Sequence, residues 1–172
     1  MPDQVDGRAP LGRFVPWDSD PLDVVQVWLL AVPLKVWQRA EEHHDELMRE
    51  MALLALDPSS AHDLPRRLLE LVDVLGRQYS ASSERPDGDR TAAIARGQDR
   101  VDFVCEISRT AGAAAARFGA LLEEAEDYCL RGDLLLTLGW GEVERSFARW
   151  YLDQFVNQVA GREPVAWSGP WD

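Results

Sequence analysis

The sequence is poor in cysteine and lysine, has no long apolar run, and nowhere becomes net basic. Cys105 and Cys129 are the only cysteines. They are too far apart for a C-x-x-C pair and too few for a thiolate metal site or a disulfide framework, so both read as buried, reduced thiols of a cytoplasmic protein. Lys35 is the single lysine; the other basic residues are all arginine, which reflects coding composition more than a physical demand. The longest apolar run, Val27 to Leu34, is far short of the roughly 20 residues that cross a bilayer. The opening MPDQVDGRAP lacks the basic segment of a secretory signal. These features together predict a soluble, cytoplasmic protein.

The missing positive charge excludes more. The formal charge is −12, and acids outnumber bases in each of the stretches 1–56, 57–100 and 101–172. No phosphate-backbone footprint for DNA or RNA is present, and an anionic membrane surface would repel the chain. A partner with a basic or apolar face remains open. At 172 residues the chain fits one domain with a core of its own.

What is present is helical periodicity, interrupted once. Residues 1–18 hold Pro and Gly without apolar period and read as an arm, 19–161 as a single globular domain, and 162–172 as a Pro- and Trp-bearing tail. Ser19 or Asp20 followed by Pro21 predicts a helix start, with Leu22, Val25, Leu29 and Val32 at helical spacing and Pro33 as a kink or break. A second helix runs from Leu34. Its last part, Met51 to Leu56, fits a buried strand equally well. Asp63 caps a third helix with Leu64, Leu68, Leu71, Val72, Leu75 and Tyr79 inward, and 80–90 reads as a loop. Thr91 to Arg96 forms a turn or two closed by Gly97. Val101, Phe103, Cys105 and Ile107 then alternate as a strand. Thr110 opens a long helix ending at Gly132, Leu134 to Leu138 is a second strand candidate, and a final helix spans about Glu142 to Ala160, with Gly161 as its stop. The strand, helix, strand order suggests a parallel crossover. The expected fold is α-dominated α+β, about five helices with a two- or three-stranded sheet, and an all-α bundle is the second choice.

The densest ionisable chemistry is EEHHDELMREM, residues 41–51, where His43 and His44 sit among five carboxylates. Glu41 and His44 make a Glu-x-x-His pair on one helix face, the half-site of a carboxylate-bridged di-iron centre. The second half is missing, because the remaining histidine, His62, has Ser59 in place of the acid. His44 and Asp45 also resemble the acceptor helix of histidine kinases, in which an acid beside the imidazole takes the proton. The nucleotide-binding motifs of such kinases, the Walker loop, the Gly-x-Ser-x-Gly elbow and the dinucleotide fingerprint are absent. No cofactor or metal is expected, and the carboxylates Glu123, Glu124, Glu126 and Asp127 read as a solvated helix face.

The aromatics point instead to contacts. Seven tryptophans are many for this length. Trp28, Trp37, Trp150, Tyr151, Trp167 and Trp171 are the candidate interaction residues, and the tail carrying the last two either caps its own core or anchors a partner.

Four phrases, PLKVWQRAEEHHDELMREMALLAL, VDFVCEIS, AEDYCLRGDLLLTL and RWYLDQF with its Pro- and Trp-rich end, together resemble a group of small acidic actinobacterial proteins. These are found beside partner-switch components: anti-sigma kinases, STAS-domain antagonists and serine phosphatases. The resemblance spans most of residues 22–171, and its motifs are structural rather than catalytic. Members are often labelled ATP-binding, a label that no motif of this chain supports, and the phospho-acceptor motif of STAS domains is absent too. The resemblance implies a non-enzymatic regulatory or adaptor protein in a signalling system. Another protein is then the expected partner, a second copy of the chain being one form it could take. The alternative is a histidine-phosphotransfer or metal-dependent protein centred on His43 and His44.

Overall fold

A computed structural model describes residues 24–56, 63–71, 73, 90–130 and 139–171, with Tyr128 and Cys129 described by backbone alone. The expected arm, the cap at Ser19 or Asp20, the loop over most of 80–90, the stop at Gly132 and the strand at Leu134 to Leu138 lie outside these residues.

The apolar stretch expected to be a helix is a strand. β1, Val24–Pro33, is rich in β-branched valine, whose stiff side chains suit an extended backbone better than a helix. Its apolar residues, which satisfy helical spacing, suit equally a strand covered from more than one direction. β1 pairs with β2, Arg100–Ser108, and the pairing is antiparallel rather than the expected parallel crossover. Between the strands lie α1, Leu34–Leu56, then α2, residues 64–71, and α3, residues 90–95. After β2 come α4, Thr110–Leu130, and α5, Glu142–Val159. The described residues thus form five helical segments and a two-stranded sheet, a helix-dominated α+β fold. Met51 to Leu56 is the end of α1, not a strand.

The β1–β2 register contains a bulge. Leu29 pairs with Phe103 and Val32 with Val101, so Leu30 and Ala31 together oppose Asp102. The additional residue inverts the alternation: Val27 and Leu29 face the core before it, and Val32 faces the core after it. Ala31 takes the left-handed region at φ 56°, and its N–H donates to the Asp102 carboxylate at 2.6 Å.

Two apolar clusters share α1, a helix of 23 residues and about 35 Å in length. Its first half sends Leu34, Val36, Trp37 and Ala40 into a core with Val27, Leu29, Val101, Phe103, Ile107, Phe147 and Trp167. Its second half sends Leu47 and Met51 to Leu64, Leu68 and Leu71 of α2 and to Leu121 and Ala125 of α4. At Gly97, with φ 70°, the chain turns from α3 into β2, and the N–H groups of Gly97 and Gln98 close α3 on Ile94 and Ala93.

The second left-handed glycine redirects the tail. Gly161, φ 80°, ends α5 with its own N–H on Gln158 O and the Arg162 N–H on Asn157 O, the same double closure. The chain then runs back beside the outer edge of β1. There the Gln158 amide holds both backbone groups of Trp28, accepting from its N–H at 2.8 Å and donating to its carbonyl at 2.8 Å. Two residues further along β1, the Trp167 N–H donates to Leu30 O at 3.0 Å. A side-chain amide and one peptide group thus stand where a third strand would bond.

Because Ala31 is held at positive φ, Ala31→Gly should leave stability unchanged or raise it by up to about 1 kcal/mol. Ala31→Val should cost about 1–2 kcal/mol. Urea denaturation of the three proteins measures this; equal midpoints for the glycine and valine variants would show that the bulge is not strained.

Candidate functional site: a groove between α4 and α5

α4 and α5 lie antiparallel, and their register follows from which residues are small. A Cβ at Gly112 would meet Val159 Cβ at 3.0 Å, so a larger residue there would have to push Val159 aside by a few tenths of an ångström, and one at Gly119 would meet Leu152 at 3.4 Å. The same register continues into charge. Glu123 accepts from Arg149 at 3.0 Å, and one turn on Glu126 accepts from Arg145. Between the helices opens a cavity of about 530 Å³, with Ala115, Ala116, Gly119, Ala120, Ala148, Leu152 and Val156 among its apolar lining. Glu123, Glu126, Asp127, Arg145, Arg149 and Asp153 supply its polar groups, and Trp140 and Leu130 its far end.

The two ion pairs differ in kind. Glu123 and Arg149 are both well exposed, and a pair of that sort contributes at most a few tenths to 1 kcal/mol. Glu126 is buried, with 8% of its surface exposed. Its second oxygen accepts the Trp140 N–H at 3.0 Å, and Arg145 also donates to Trp140 O at 3.2 Å. A single carboxylate therefore fixes the entry to α5, an arrangement whose loss would leave a buried charge unmatched. The reading of the acidic run 123–127 as wholly solvated is corrected here: Glu126 turns inward, and Glu124 is engaged by Arg67 of α2 at 3.0 Å.

The histidines stand behind this groove and do not line it. His43 packs edge-on against Trp140 with ring centroids 4.6 Å apart, and its Nε2 is buried with no hydrogen-bond partner. Burial pushes its pKa below the ordinary imidazole value, against the opposing pull of Glu126, Glu46 and Glu144. His44 packs against Phe118 of α4 at 5.8 Å. Its pKa is also lowered, chiefly by burial, with Asp45 opposing and His43 adding to the shift. Glu41, the other half of the proposed Glu-x-x-His pair, is taken by Arg90 of α3. Asp45 is exposed. Among the described residues no group of three or more His, Cys, Asp and Glu is placed to hold a metal ion. Both imidazoles are engaged in ring packing.

Cys105 is half-buried, and burial raises its thiol to about 11, so it stays protonated and unreactive near neutrality. The side chain of Cys129 lies outside the described residues.

The aromatic candidates are distributed over the molecule's own core. Trp37 is buried edge-on against Phe103 at 5.1 Å, with Arg90 over its ring. Trp167 is buried against Phe147 and Trp150, and Trp171 lies under the Arg100 guanidinium at 4.9 Å. Trp150 donates its indole N–H to Val165 O at 2.9 Å, Tyr151 lies among Trp37, Phe147 and Phe155, and Trp28 is half-buried on β1. The tail folds back on its own protein. Two spacings carried a signal for the site that the sequence reading did not take up. Glu123 and Glu126 on α4 match Arg145 and Arg149 on α5 in antiparallel order, and Gln154 and Gln158 sit i, i+4 on the face of α5 that turns inward.

Comparison with known protein families, with curated proteins and with solved structures finds no match. Among the described residues no helix is long and apolar enough to cross a membrane.

The depressed histidines make a signed pH prediction. Unfolding raises each imidazole to its ordinary value near 6.5, so below that pH the unfolded chain binds protons that the folded one refuses. Stability is full above pH 6.5 and falls as pH drops through the lower folded values. His43→Phe removes the unpartnered Nε2, should raise stability by about 1 kcal/mol at pH 7.5, and should flatten the loss between pH 7.5 and 5.5. Urea midpoints at both pH values measure it; an unchanged slope would show that His43 does not titrate on unfolding.

Proposed function

We propose that the protein is a non-enzymatic regulatory or adaptor protein that works by protein–protein contact, and that the α4–α5 groove is its binding face. The observation that carries this reading is the groove itself. It has an apolar floor, its two walls are set in register by Gly112 and by the Glu126–Arg145 and Glu123–Arg149 pairs, and neither His43 nor His44 lines it. Such a surface offers shape and charge to a partner, with no activated nucleophile or acid–base pair among its described lining. The resemblance to actinobacterial neighbours of partner-switch components supports a signalling partner. The phosphotransfer and metal readings require an accessible imidazole or a ligand set, and the packing of His43 and His44 supplies no support for either.

A photo-crosslinking amino acid at exposed Ala120, introduced in the native host, tests the reading. The expected result is one discrete adduct with a protein, reduced at least about tenfold when Ala116→Trp blocks the floor. An adduct pattern that is the same with the crosslinker at exposed Glu142, outside the groove lining, and insensitive to Ala116→Trp would overturn the groove as the binding face.

A further inference from the structure

We propose that His43 and the entry to α5 form a proton-operated latch, in which the protonated imidazole takes Glu126 from Arg145 and Trp140 comes loose from its seat. Three elements build the junction. α1 brings Arg39, His43, His44 and Glu46, α4 brings Glu126, and the start of α5 brings Trp140, Glu144 and Arg145. At its centre is a closed set of bonds around one carboxylate. Glu126 accepts the Trp140 N–H at 3.0 Å on one oxygen and Arg145 on the other, and Arg145 reaches back to Trp140 O at 3.2 Å. Glu144, the acid on α5 nearest the turn's exit, is held by Arg39 at 2.6 Å. Two buried or half-buried acids are thus matched by two guanidiniums. The His43 ring packs edge-on against Trp140, with its Nε2 buried and without a hydrogen-bond partner.

A proton upsets this balance. An imidazolium carries a donor on each nitrogen, and a buried one needs an acceptor, best a carboxylate. Three acids draw the ring toward its charged form, Glu126 most strongly, then Glu46 and Glu144. Glu46 is exposed and solvated. Glu144 is tied to Arg39, which stands one turn before His43 on the same helix. Glu126 remains, and both of its oxygens are in use, so imidazolium and Arg145 compete for one carboxylate. Exposure decides the contest. The Arg145 side chain is 43% exposed and can turn to water, whereas Nε2 of His43 cannot. When Arg145 leaves, Trp140 O loses its donor, and as Glu126 turns to His43 the Trp140 N–H loses its acceptor. Burial keeps the imidazole neutral near pH 7, so the latch is shut there and opens below pH 6.5. Glu126, Trp140 and Arg145 also line one end of the α4–α5 cavity, so opening changes the shape and charge of that end. The latch itself does not depend on the groove being a binding face.

The test is a pH titration by NMR of the full-length protein carrying fluorotryptophan and labelled histidine, with Trp140→Phe and His43→Phe assigning the two signals. The expected outcome is a Trp140 signal that shifts with the same midpoint as His43, below pH 6.5, while far-UV circular dichroism stays constant. The shift should vanish in His43→Phe and His43→Gln and persist in His44→Gln. Competition for Glu126 adds a second readout: Arg145→Gln should raise the His43 midpoint by at least about half a pH unit, and Glu126→Gln should lower it by about as much. Arg149→Gln, which removes the same charge from the neighbouring pair, should move it far less. A Trp140 signal that ignores the His43 titration, or that shifts equally in His43→Phe, would overturn the latch. So would a His43 ring that takes up no proton down to about pH 5, or a loss of circular dichroism in step with Trp140, which is global unfolding. A midpoint that Arg145→Gln moves no further than Arg149→Gln would overturn the exchange of partners. The wild-type titration decides the latch even where a Glu126 variant fails to fold.

Discussion

The outer edge of β1 is the constraint on which the rest of the structure depends. A two-stranded sheet is marginal in water, and the strand that does not continue into a third exposes backbone groups that must be bonded or solvated. At Trp28 those groups are taken by the Gln158 amide, which carries a donor and an acceptor at about the separation of a peptide group; at Leu30 the carbonyl is taken by the Trp167 N–H. Gln154 supports the arrangement by accepting from Gln158 and from the Val165 N–H. The sheet edge is thus closed by α5 and the tail, not by another strand. That explains why Gly161 must turn left-handed and why Trp167 ends in the core.

Fixing α5 to the sheet also fixes one wall of the groove. The other wall, α4, is set against α5 by glycine at the crossing and by two arginine–glutamate pairs further along. The space between them is preformed, and a preformed surface loses less entropy on binding than one that must first order itself. Of the polar groups that line it, Glu123, Glu126, Arg145 and Arg149 are bonded within the protein, Glu126 most fully. The buried, unpartnered Nε2 of His43, whose ring packs against Trp140, is a cost in stability.

Much of the helical architecture was legible because it depends on local signals. Gly97 and Gly161 mark the ends of α3 and α5, and the alternation from Val101 to Ile107 marks β2. The stripe Leu64, Leu68, Leu71 marks the buried face of α2. β1 was not legible as a strand because its apolar residues satisfy helical spacing as well as extended pairing, and the feature that decides between them, β2, lies about 70 residues away. The bulge at Ala31 further hides the alternation, moving Val32 onto the face that Val27 and Leu29 occupy. The histidine-rich turn drew attention through composition, yet burial decides its chemistry, and burial is set by Trp140 and Phe118 from distant elements. The groove was hidden for the opposite reason: alanine, glycine and a run of carboxylates look unremarkable until the register of two helices brings them together.

Native-state amide hydrogen exchange of the wild type and of Gln158→Leu tests most directly whether the sheet edge organises the groove. The Trp28 and Trp167 amides should be protected to the level of the β1–β2 ladder in the wild type. In Gln158→Leu both should exchange faster, together with α5 amides between Arg145 and Val156. Rapid exchange at Trp28 in the wild type, or an α5 whose protection is unchanged by the substitution, would contradict the account.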